Sequence, residues 1–178
     1  QRQMCIRDSF KRLHKDTLAN NFHGDVLSYR SYERNHRMVL CMKGIDALRG
    51  RPEDEWRIAG SGFPVYFLFP NVEVNVSDGR IVVVRVYPDP KDPGRSISHF
   101  GYYFDPEVLA QAPEAAMMMS QGFTSIVVAE DYATGETTQT ALSAGLQDKL
   151  LFGRNEPPLH HYHRTFRREL GLEPLPVR

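Results

Sequence analysis

Apolar and polar positions alternate through the first half of the chain and then change period. VLSYRSYE (26–33) and RMVLCMK (37–43) alternate with a repeat of two, the spacing of a half-buried strand. FPVYFLF (63–69) is a β-prone run that stops at Pro70 and Asn71, and Val72 to Val76 alternates again. Asp78-Gly79 then offers a tight turn into RIVVVRVY (80–87), which predicts a β-hairpin. PDPKDP (88–93) reads as a loop, and Ser96 to Phe104 as a further strand. RPEDEW (51–56) is a charged loop or helix start, and FKRLHKDTL (10–18) has the apolar spacing of a short helix.

After Asp105-Pro106 the period lengthens. AQAPEAAMMMSQG (110–122) and IVVAEDYATGETTQTALSAG (126–145) are rich in helix formers with apolar residues three and four apart. NEPPLHHYHRTFRREL (155–170) predicts a last helix, with Asn155 as its cap, prolines in the first turn and Gly171 as its stop. Strands first and helices last predict one α+β domain, an antiparallel sheet wrapped around the C-terminal helix.

Composition narrows the range of functions. The chain has 178 residues, with 22 Lys+Arg against 22 Asp+Glu and therefore no formal net charge. Such a balance does not predict nucleic acid or anionic lipid as a partner. Mean hydropathy is −0.44, and no apolar run approaches the roughly eighteen residues of a spanning helix. Cys5 and Cys41 are too few for a disulfide framework and no apolar leader opens the chain, so a soluble, cytoplasmic protein is expected. Gln1 to Ser9, QRQMCIRDS, matches the translation of a transposon adapter used in preparing sequencing libraries. Residues 1–9 are therefore expected to be non-native, leaving Cys41 as the native cysteine.

Seven histidines and the carboxylates Glu130, Asp131 and Glu136 are the candidate metal ligands. His160 and His163 share a helix face, but their arginine neighbours (Arg164, Arg167, Arg168) suggest a solvated face with Tyr162 and Phe166 turned inward. Asp131 follows Ile126-Val127-Val128-Ala129, so it borders an apolar wall and needs a partner there, either a metal or the local contacts of a cap or salt bridge.

Glu130 to Leu170 resembles the C-terminal catalytic segment of the large (alpha) subunit of the Rieske non-haem iron ring-hydroxylating oxygenases. The likeness rests on Glu130-Asp131, Glu136, Gln139, Gly153-Arg154-Asn155-Glu156 and the His160 to His163 helix. Phe69-Pro70-Asn71, Arg85-Val86-Tyr87-Pro88 and Leu13-His14-Lys15 extend it upstream, so that it covers Phe10 to Arg178 as the C-terminal part of the catalytic domain. The resemblance implies a helix-grip, START-like fold and a mononuclear Fe(II) held by His14 and Asp131. It places the other iron histidine at position 9, where this chain has Ser9, and a bridging aspartate at position 6, where it has Ile6.

It further implies a 2Fe-2S Rieske cluster in an N-terminal domain not contained in residues 10–178, ferredoxin and reductase donors using NAD(P)H, and a homotrimer or α3β3 assembly. Two histidines and one carboxylate would leave iron positions open for dioxygen. Residues at positions 9 and 14 of a regular helix stand about 140° apart, which predicts an irregular or broken helix around Phe10 to Asp16. If Asp131 is helical, Val127, Val128, Thr134 and Gly135 share its face and would line an apolar substrate pocket. A metal-free helix-grip module binding a hydrophobic small molecule is the alternative, and a hydrolase using His160 and His163 a third. The position of His14 relative to Asp131 separates them.

Overall fold

The computed structural model describes residues 6–146 and 149–176, and of residues 6–9 only the backbone. The expectations for Gln1 to Cys5 and for the side chains at positions 6 and 9 therefore lie outside the described residues. Helix α1 (Ile6–Leu13) leads through a turn into strand β1 (Phe22–Tyr32). Strands β2 (Asn35–Met42), β3 (Gly62–Leu68), β4 (Val72–Ser77), β5 (Arg80–Pro88) and β6 (Ser96–Phe104) follow, with two short 3-10 segments between β2 and β3. Helices α2 (Pro106–Gln111), α3 (Pro113–Ile126), α4 (Ala133–Ser143) and α5 (Pro157–Glu169) complete the chain, and a π-helical stretch, Val127–Tyr132, joins α3 to α4.

All six strands form one antiparallel sheet in chain order, the meander that the alternating pattern predicts. The β4–β5 hairpin turns on Asp78-Gly79, where Gly79 takes a φ of 66° that a side chain would strain. On the sheet's concave face Val82 is 1% exposed and Val65 and Val84 are buried, while Val39 is buried on the opposite face. Residues directly opposite in an antiparallel pair share a face. Val82 against Tyr102 and Val84 against Phe100 therefore extend one inward surface across β5 and β6.

Helix α5 lies against this face. Tyr162 meets Phe67 edge-on with ring centroids 5.0 Å apart, and Phe166 meets Phe69 at 4.8 Å. The helix begins at Pro157 and not after an Asn155 cap; the residue before it is Glu156, whose carboxylate accepts from the Gly153 N–H. The His160 to His163 segment also differs from a solvated face. His160 Nε2 lies 2.7 Å from the Gly153 carbonyl oxygen, and His163 stacks on Phe152 at 4.6 Å. Those contacts occupy both histidines with local structure, and among the described residues neither is brought to a carboxylate.

Candidate metal centre and cavity

His14 is the first residue past the end of α1. Its backbone N–H still donates to the Phe10 carbonyl at 2.9 Å, and its own carbonyl accepts from Thr17 and Ala19. The helix thus runs regularly to Leu13, the departure from it comes only in the turn that follows, and His14 is 4% exposed. Phe10 packs on the ring at 4.7 Å and on Phe22 at 5.9 Å, and Phe22 packs on Phe63 at 5.5 Å. This ladder fixes the turn to the sheet.

The other half of the site comes from the π-helical stretch. Its wider backbone repeat, a feature that recurs at functional sites, presents consecutive carboxylates to the two nitrogens of one imidazole. Glu130 takes His14 Nδ1, and Asp131 Oδ1 lies 3.5 Å from His14 Nε2. Thr17 Oγ1 donates to both Glu130 oxygens, at 2.9 and 2.8 Å. An Nδ1–H donating to Glu130 leaves the Nε2 lone pair free and aimed toward Asp131. Burial holds the Asp131 carboxyl above its usual range, with Glu130 adding to the rise and His14 opposing it.

Both His14 and Asp131 line a cavity of about 920 Å³ between the concave face and the helices. Among the described residues, no three His, Cys, Asp or Glu side chains form a metal-holding group. The pair nonetheless suits a shared ion. Two donors about 2.1 Å from one divalent ion at roughly a right angle stand about 3 Å apart. The 3.5 Å gap, too long for a good hydrogen bond, needs only a small closure.

Of the residues expected to line the pocket with Asp131, Val127 does so. Val128, Thr134 and Gly135 do not: Val128 is 50% exposed, and Thr134 and Gly135 are exposed on α4. The π stretch breaks the three-and-four spacing, and Thr134 Oγ1 is spent on the Glu130 carbonyl at 2.9 Å.

Sequence reasoning missed the polar side of the cavity, which strand β4 contributes. Glu73, Asn75 and Ser77, alternate residues of that strand, all line it. Asn75 is 3% exposed and donates to Glu73 at 2.9 Å. Burial pushes the Glu73 carboxyl up, the Asn75 hydrogen bond opposes this, and Asp131 adds to it. The polar half of the alternation was the available signal, but the pattern alone does not say which face points inward.

No described helix is long and apolar enough to cross a membrane. Searches of the curated proteins and of the solved structures each gave no match. A family model described as ring hydroxylating alpha subunit (catalytic domain) matches residues 10–171, and the chain belongs to that family.

Proposed function

We propose that this chain is the catalytic part of a terminal oxygenase in which His14 and Asp131 are two of the three protein ligands to a mononuclear non-haem Fe(II). A histidine at position 9 of the parent protein, where Ser9 stands here, is the third. The observation that carries this reading is the meeting of His14 and Asp131, remote in sequence, on one cavity wall 3.5 Å apart. When bound, the metal supplies dioxygen activation at its open positions. The chain's own residues do the rest. Glu130 holds the His14 tautomer, Thr17 holds Glu130, and the aromatic wall seats an apolar substrate and keeps water from it.

Electrons come from a Rieske 2Fe-2S cluster supplied by a neighbouring subunit of a homotrimer or α3β3 assembly. That cluster is reduced by ferredoxin and a reductase using NAD(P)H, in the cytoplasm.

The test is to join residues 10–178 to a Rieske domain, restore histidine at position 9, and supply ferredoxin, reductase, NADH and isotopically labelled dioxygen. The label is expected in the hydroxyl of an apolar ring product. Label entering only from water would overturn the assignment.

The role of Glu130 has its own consequence. Glu130→Gln keeps the shape but weakens the acceptor at His14 Nδ1, and Fe(II) affinity should fall about 10- to 100-fold, the range for a hydrogen-bond partner behind a ligand. Anaerobic Fe(II) titration of the position-9 histidine protein reads this directly. An unchanged affinity would remove Glu130 from the site.

A further inference from the structure

The cavity is electrically lopsided. Asp131 and Glu73 both line it, with Glu130 behind on His14. Among the described residues, the cation in its lining apart from histidine is Arg80, the first residue of β5. Arg80 pairs with Ser77, whereas Glu73 pairs with Val84, so the two charges lie four residues apart along the hairpin, about 13 Å at 3.3 Å per residue.

Arg80 has no ion pair with a described carboxylate, and its Nε is buried without a hydrogen-bond partner. Its guanidinium sits 5.7 Å from the ring centroid of Phe123. A cation–π contact offsets part of the desolvation, but it uses none of the five N–H donors. Burial also depresses the basicity of Arg80, with Tyr102 opposing it. A planar carboxylate is the group whose geometry fits those donors, two at a time.

The position of Arg80 also sets a direction. Phe123, Val127 and Asp131 line the cavity along one continuous helical run. A ligand anchored beside Phe123 therefore extends past Val127 toward His14 and Asp131. Its anion is repelled from the carboxyl-rich end, and its apolar body fills the aromatic middle.

We propose that Arg80 anchors a carboxylate on the substrate, so that the cavity takes apolar acids, aryl or arylalkyl carboxylates, with the end remote from the acid group presented to His14 and Asp131. This rests on the reading of the cavity as the oxygenase's substrate site, and it is tested by binding alone, without iron or turnover.

The probes are ω-phenyl carboxylates from phenylacetate to phenylhexanoate, each compared with its amide and its amine by calorimetry on the chain as it stands. At least one acid should bind tenfold or more tightly than its amide, with the preference shrinking as salt rises. Arg80→Met should bring acid and amide to parity, and Arg80→Lys should keep part of the preference. A purely structural Arg80 would lower the melting temperature and leave the acid-to-amide ratio unmoved.

The wild-type ratio stands even if a variant fails to fold. No acid preferring to its amide, amines binding best, or a preference that survives Arg80→Met would each overturn the proposal. Carboxylate selectivity with no iron binding at His14 and Asp131 would sink the oxygenase reading and leave the anchor intact. Iron binding without carboxylate selectivity would do the reverse.

Discussion

Replacing Ser9 by histidine is expected to raise anaerobic Fe(II) affinity by a hundredfold or more and to bring binding to one equivalent per chain. Asp131→Ala or His14→Ala in that background should abolish the gain. The magnitude follows from what a ligand does. Losing even a partner behind a ligand costs about 10- to 100-fold, and a directly coordinating group contributes more than that. Asp131 also supplies a negative charge on a wall that already carries His14 Nε2 at 3.5 Å, so its removal takes away both a donor and the charge balance of the ion. Asp131→Asn separates the two effects, since it keeps an oxygen donor and loses the charge. His163→Ala, whose ring stacks on Phe152 outside the pair, should change nothing. Full iron occupancy after Asp131→Ala would show that the cation is held elsewhere.

The second large effect concerns stability and pH at the other end of the sheet. His36 on β2 is 7% exposed, stacks on Phe67 at 5.1 Å, meets His161 of α5 edge-on at 5.3 Å, and has no partner for Nδ1. Burial, with the neighbouring His161 adding to it, pushes its pKa down to about 4. The folded protein holds this ring neutral, while the unfolded chain takes up a proton below about 6.5.

Stability from this group is therefore intact above pH 6.5, falls as pH drops toward 4, and levels off below that. At about 1.4 kcal/mol per unit, the loss amounts to roughly 2 to 3 kcal/mol after allowing for partial solvent access. His36→Phe preserves the stacking and removes the proton site, so denaturant melts of the variant should lack this part of the acid slope. Glu73 and Asp131, whose carboxyls sit high, bend the curve the opposite way in both proteins, so the difference between variant and wild type isolates His36. A difference independent of pH would mean that the ring is not held neutral.

The elements were legible because they depend on local periods. The alternation in RIVVVRVY and in Ser96 to Phe104, the Asp78-Gly79 turn and the paired prolines before LHHYH each act through neighbouring residues, and each has its element in the structure. The irregular helix expected around Phe10 to Asp16 is found only in part, since α1 is regular to Leu13 and the irregularity lies in the turn after it.

Other features depend on the partner that an element meets. The sequence carried no sign that the backbone would widen at Val127–Tyr132, a change that gives both ring nitrogens of His14 a carboxylate and turns Val128 away from the cavity. Nor could alternation in VEVNVS tell the inner face from the outer. Its polar residues, Glu73, Asn75 and Ser77, line the cavity, where Asn75 donates to Glu73. Sequence by itself determined the strand order, the α+β class and the set of candidate ligand side chains, since these follow from local spacing and side-chain chemistry. Only the tertiary structure decided which side of each strand faces the cavity, that Glu130 and Asp131 meet His14, and that Arg80 has no anion partner among the described residues, because these depend on contacts between segments far apart in the chain.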